Sequence, residues 1–297
     1  MPELDTQSDH RRSPLASAWV TTPAMGAAPT LPQRRELLGA LLRGRGLERI
    51  LARRYLAKDP PADEDAALGA IAAATALDRH DRLVASHRFL SAHLACGASP
   101  RAIAAARLGG PERPERPALR SGLGPQSPAA VAVGVAFALR RATDAPVAVA
   151  LSDRRWAAGE EHAAALQLAR EQALRVVIVA IDVGRCDDPP MHGWVEADRD
   201  EFEAARAAVR IGIDAARAQS APTLVALSCG PAEPAQRFAA PLSDGRILDR
   251  TDPLVAYERH LMINGFSRAD LDAIRRDAAD DLADELGAGL STARRAA

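Results

Sequence analysis

The stretch APVAVALSDRRWAAGEEHAAALQLAREQALRVVIVAIDVG, Ala145 to Gly184, decides the fold. Val147 to Leu151 and Val176 to Ile181 are short apolar runs rich in Val. Between them Ala, Leu, Gln, Glu and Arg continue for about 16 residues without a Pro, which reads as one helix. Two β-rich runs joined by a helix form a βαβ unit, with parallel strands and a right-handed crossover. Each run gives way to an acidic residue, Asp153 after the first and Asp182 after the second. Open parallel sheets bind ligands at the carboxyl ends of their strands, so the two carboxylates are candidate metal ligands. The competing reading is that each caps the helix start that follows a strand, as Asp commonly does.

Composition narrows the classes. A chain of 297 residues can form one large domain or two small ones. Its 38 Lys+Arg balance 39 Asp+Glu to a net charge of −1, which gives no footing for nucleic acid or an anionic membrane surface. Lys58 is the only lysine, and its setting, LAKDPP, is a helix exit into a Pro turn. That argues against a P-loop, a Schiff-base lysine and a pyridoxal phosphate site. Cys96, Cys186 and Cys229 have no CxxC spacing, so neither a zinc site nor a disulfide framework is expected. No apolar run reaches the roughly 18 residues of a membrane span, and the N-terminus lacks the apolar core of a signal peptide. A soluble cytoplasmic protein is expected.

Residues 1–32 are polar, Pro-rich and aperiodic, a flexible arm or an extended segment that wraps a partner. Residues 33–297 read as a single domain with helical extensions at both ends. Leucines at helical spacing span Gln33 to Ala57, and Arg43, Arg45, Arg49, Arg53 and Arg54 read as its solvated face rather than as an anion site. Further helices are expected over Ala66–Leu77, Val84–Cys96 and Pro100–Arg107, before an irregular linker from Gly109 to Pro128. The very apolar AAVAVGVAFALRR follows, with small residues suited to packing under a sheet. After the βαβ unit come a helix over Asp200–Gln219, a third strand in APTLVALSC, and closing helices. Ser267 with Asp270 three residues on marks the start of the last one. His87 and His93 fall on different faces of one helix and read as structural, as do Cys96 and Cys229. Glu160, Glu161 and His162 head a helix where carboxylates suit the dipole. The alternation of helix and strand gives an α/β class: a three-layer parallel sheet with helices on both faces, plus helical flanks.

Five segments, taken in order, resemble one family. DRLVASHRFLSAHLACGASPRAIAAARLGG and SGLGPQSPAAVAVGVAFAL resemble consecutive pieces of the alpha subunits of thiamine-diphosphate-dependent 2-oxo acid dehydrogenases. VAVALSDRRWAAGEEHAAALQLA sits where that family has its GDG metal motif. VEADRDEFEAARAAVRIGIDAARAQSAPTLVAL and DPLVAYERHLMINGFSRADLDAIRRDAADDL are similar to its later segments, so the likeness runs over roughly residues 34–290. Transketolases share the same core.

The resemblance implies a thiamine-diphosphate-binding fold and a cofactor site at the carboxyl edge of the sheet. It implies Mg²⁺, a hard cation with about six oxygen ligands shared between protein and phosphate, held by Asp153 at the position of the GDG aspartate. An ungapped count puts Asp182 at the position of the family's metal-binding Asn; a one-residue gap puts Gly184 there. The family's diphosphate-contacting Tyr-Arg pair corresponds to His87 and Arg88, of which only the arginine is kept. The resemblance further implies a beta-type partner subunit in an alpha2beta2 heterotetramer, with the glutamate that activates thiamine on that partner. The chain departs from the motif in three places. GDG reads Ser152-Asp153-Arg154, so a side chain stands where the second glycine admits the diphosphate. The Asn pair is gone, and Arg185 to Trp194 is far shorter than the family's loop and helix. The two loops that carry an active-site histidine, here within GGPERPERPALRSG and SCGPAEPAQRFAAP, contain none. Two functions follow: a working alpha-type subunit acting on a 2-oxo acid or ketol donor, or an inactive pseudo-subunit that supports a beta-like partner.

Overall fold

The computed structural model describes residues 28–54, 64–86, 89–107, 128–153, 160–181, 194–198, 201–228, 240–241, 247–248 and 252–296. Five parallel strands build the main sheet: β1 (Arg82–Val84), β2 (Ala148–Asp153), β3 (Val176–Ile181), β4 (Trp194–Asp198) and β5 (Thr223–Ser228). Their spatial order is β1-β2-β3-β5-β4. A two-stranded antiparallel piece, β6 (Ala240–Pro241) with β7 (Ile247–Leu248), lies apart from it in the hydrogen-bond pattern. The helices among the described residues are α1 (Leu31–Arg54), α2 (Glu64–Thr75), α3 (Leu90–Ala95), α4 (Pro100–Arg107) and α5 (Pro128–Leu139). They continue with α6 (Glu160–Glu171), α7 (Phe202–Gln219), α8 (Pro253–Ile263) and α9 (Arg268–Ala296).

The sheet is the middle of three layers. Val147, Val149 and Leu151 of the β2 segment, with Val177, Val179 and Ile181 of β3, join one apolar cluster with α1, α2, α7 and α8. The alternate residues, Ala148 and Ala150 with Val176, Ile178 and Ala180, join a second cluster with α5 and α6. Period-2 alternation sends successive side chains to opposite faces, and here both faces are covered. That is why these runs carry no polar alternation and read as continuous Val and Ile.

The face that each helix takes follows from crossover handedness. β1, β2 and β3 step across the sheet in one direction, with α5 and α6 on one face. β4 to β5 steps back, and its helix α7 lies on the other face, as a single crossover hand requires. Helix α7 presents Phe202, Ala205, Val209, Gly212, Ile213 and Ala216 as one buried stripe. Gly212 marks its closest approach to the sheet, since a Cβ there would lie 2.6 Å from Val225 Cγ2.

Two expectations are corrected. The helix read over Val84–Cys96 begins only at Leu90, because Arg82–Val84 instead pairs with Ala148–Ala150 as an edge strand. The main-chain bonds and apolar burial of the sheet edge override local helix preference there. Arg45 is not on a solvated face: it is 5% exposed and bonds Asp252 at 2.5 Å. Asp252 in turn caps α8, accepting the Leu254 N–H at 2.9 Å. By contrast, Ser267 and Asp270 form the expected reciprocal cap, with the Asp270 N–H bonded to Ser267 Oγ at 3.1 Å and the Ser267 N–H to Asp270 Oδ2 at 2.9 Å. No helix among the described residues is long and apolar enough to cross a membrane.

At the amino edge, Asp81 locks three elements together. Its Oδ1 accepts the Val147 N–H at 2.9 Å and its Oδ2 the Asp78 N–H at 3.0 Å. Arg217 of α7 donates to the same carboxylate at 2.9 Å.

Gly212→Ala tests the close packing of α7. Overpacking against a stiff Val costs about 1–3 kcal/mol, which outweighs the helix-propensity gain of roughly 1 kcal/mol. The urea midpoint falls with the slope unchanged; an equal or higher midpoint would show that α7 has room to spare.

Candidate functional site

Strand β2 places two of the expected site residues, Ser152 and Asp153, at the carboxyl edge of the sheet. β2 ends at Asp153 and β3 at Ile181, and these two residues are register partners in adjacent parallel strands. Adjacent strands lie about 4.7–4.9 Å apart, so Asp153 sits at the rim beside the residue that immediately precedes Asp182 in sequence. Of the six expected cofactor-binding residues, Ser152 and the backbone of Asp153 lie among the described residues. His87, Arg88, Arg154 and Asp182 lie outside them.

Ser152 follows Ala148 and Ala150 on the face covered by α5 and α6, and it is completely buried. It belongs to the wall of the sheet. The metal expectation rests on the carboxylates of Asp153 and Asp182, a hard oxygen pair whose chemistry suits Mg²⁺. Two protein carboxylates leave the remaining positions to phosphate and water, which is how Mg²⁺ is usually held. Among the described residues no group of three or more His, Cys, Asp or Glu is arranged to hold a metal ion.

One residue at this edge, read from the sequence only as part of a helix head, is buried. His162 stands in the first turn of α6, which leaves the carboxyl end of β2, and it is only 4% exposed. It shares a helix face with Ala165, Leu166 and Ala169, all buried in the α5–α6 cluster. Its Nδ1 is buried without a hydrogen-bond partner. Burial lowers its pKa from the ordinary histidine value, and a helix N-terminus disfavours a cation as well. Both effects favour the neutral imidazole. The signal was present in the 3.6-residue period, which places 162 on the stripe of 165, 166 and 169. The neighbouring Glu160 and Glu161 masked it by suggesting a solvated helix head.

Two other expectations hold. His93 is structural: 7% exposed, it sits 3.2 Å through Nε2 from the Ser86 carbonyl, to which it donates. Cys96 packs against the main core, and burial pushes its thiol up to about 12. A thiol held neutral in this way is no nucleophile.

His162 gives the edge a pH signature. Its folded pKa lies below the unfolded value, so between the two the unfolded chain binds a proton that the folded chain refuses. Stability is full above the unfolded value and drops as pH falls through it. Between pH 7.5 and 5.5 the wild-type chain loses more stability than His162→Leu. Urea midpoints at the two pH values measure this, and equal losses in both proteins would rule it out.

No family model matches the chain, and no curated protein matches it.

Proposed function

We propose that the chain is an alpha-type subunit of a heteromeric thiamine-diphosphate-dependent enzyme acting on a 2-oxo acid or ketol donor, with a pared-down cofactor motif. The observation that carries the reading is the placement of Asp153. It ends β2, inside an all-parallel sheet covered on both faces, in register with the last residue of β3. A metal-binding carboxylate in this family stands at that kind of strand end, and ligands of such sheets bind beyond it.

Thiamine diphosphate, when bound, supplies the nucleophilic carbon and the electron sink for cleaving the bond next to a carbonyl. The chain's own residues hold the phosphate end. Asp153 and Asp182 offer oxygens to Mg²⁺, and Arg88 offers a guanidinium suited to a phosphate. Ser152 is uncharged and completely buried in the sheet. Arg154 follows Asp153 in the sequence as a second cation. The proton-moving glutamate belongs to the beta-type partner, so the chain acts within an alpha2beta2 assembly.

A partner also accounts for the surface of α5. That helix has no charged residue from Pro128 to Leu139, yet Phe137 is 45% exposed, and Leu168 of neighbouring α6 is 48% exposed. An all-apolar helix is normally covered on every side.

The second reading is a pseudo-subunit that keeps fold and partner surface without cofactor. Arg154 in the place of the second glycine, the absent Asn pair and the completely buried Ser152 favour it.

Calorimetry separates the two. The chain with its partner binds thiamine diphosphate and Mg²⁺ with measurable heat, and Asp153→Ala weakens binding at least about tenfold, the scale of one lost charged ligand. A complex that forms but takes up no thiamine diphosphate leaves the pseudo-subunit reading standing alone.

A further inference from the structure

His162 is buried in a seam that offers its Nδ1 nothing polar. It stands in the first turn of α6, 4% exposed, with Nδ1 closed off from water and without a hydrogen-bond partner. Next along its face come Ala165, Leu166 and Ala169, which join Ala129, Ala132, Val133 and Ala136 of α5 in one apolar cluster. Helix α5 has no charged residue from Pro128 to Leu139. The strands of the same cluster have none from Ala148 to Ser152 or from Val176 to Ile181. Asp153 ends β2, and on α6 the sequence places Glu160 and Glu161 ahead of His162. Arg170 and Glu171 close α6 at its far end.

We propose that the first turn of α6 is an acid-released latch: protonation of His162 frees this turn from α5 while the sheet stays folded, loosening the cover of the carboxyl edge. An imidazolium in this seam loses its hydration, and the positive end of the helix opposes it. The chain can bring the cation to water by unfolding altogether or by opening locally, and local opening costs less. The first turn of a helix carries N–H groups with no intrahelical acceptor, so releasing it gives up few main-chain bonds. The seam it leaves is lined mostly by alanines, each of which buries little apolar area. The sheet below is tied by six register pairs between β2 and β3, with Val and Ile fully buried. Openings of this local kind draw on the least stable part of a fold. The device acts on the edge itself, whichever ligand meets it: the cover is closed at neutral pH and loosened in acid.

Amide hydrogen exchange on the full chain, corrected for the intrinsic rate at each pH, tests the latch. The amides of residues 164–166, which bond back to the first turn, exchange faster than those of residues 176–181 in β3. Low urea speeds the β3 amides and leaves 164–166 unchanged, because a local opening exposes little surface. Between pH 7.5 and 5.5 the protection of 164–166 falls by up to about tenfold, the most that one histidine of ordinary unfolded pKa supplies over that interval. His162→Phe keeps a ring and cannot take a proton, and it abolishes the fall; His162→Leu stands in if the Phe variant does not fold. Residues 164–166 that match β3 in rate and in urea response overturn the latch, since only the whole chain then opens. Protection that is the same at both pH values, or that falls equally in the variant, overturns His162 as its trigger.

Discussion

The architecture depends on the pairing of β2 with β3 under apolar cover on both faces. Six register pairs, Ala148↔Val176 to Asp153↔Ile181, keep the backbone groups of both strands satisfied away from water. The side chains from Val147 to Leu151 and from Val176 to Ile181 are at most 1% exposed. A fully buried Val, Leu or Ile contributes about 1.5–3 kcal/mol, so this pair of strands contributes substantially to stability. Its consequence is geometric. Once both faces are closed by helices, the strand tips are the part of the sheet left to meet a ligand.

The helical flanks are attached differently, through charges held at partly buried seams. Arg34 of α1 grips Glu203 of α7 with two bonds at 2.8 and 3.0 Å. Arg45 reaches the cap of α8, and Arg275 of α9 bonds Glu258 of α8, which is 6% exposed. Such pairs add little over apolar packing in net stability, yet removing the more exposed member of one leaves a buried charge without its partner, which is costly. They fix which helix sits against which. A chain with 38 Lys+Arg and one lysine suits that use, since the planar guanidinium forms bidentate bonds and ammonium does not.

The parts of this structure that were legible in the sequence are those written in local chemistry. The βαβ unit was legible because two Val-rich runs flank a Pro-free helical segment, and the last helix because Ser267 and Asp270 cap it within three residues. β1 was not legible: a three-residue strand, Arg82–Val84, carries no period and exists because β2 offers an edge to pair with. Arg45 was misread because its partner Asp252 lies 207 residues away. His162 was hidden by its acidic neighbours, although its helical phase matched the buried stripe. Of the site itself, the sequence placed Asp153 at a strand tip, and the register supplied what it lacked, the level of that tip relative to β3.

The two edges of the sheet differ in how their charges are used, and the difference bears on where an anion can bind. At the amino edge, Asp78, Asp81, Asp214, Arg210 and Arg217 are joined in one network of ion pairs. Nothing in that network is left to recruit a ligand. At the carboxyl edge stand the N-termini of α5, α6 and α7, each a source of positive potential. The sequence of helix α6 opens on Glu160 and Glu161. Helix α7 carries Glu203 in its first turn, already neutralised by Arg34. Helix α5 alone of the three has no acid in its first turn. An anionic group at this edge therefore gains most on the side of α5, β1 and β2. That is also the side where His93 meets the Ser86 carbonyl and where β2 ends in Asp153.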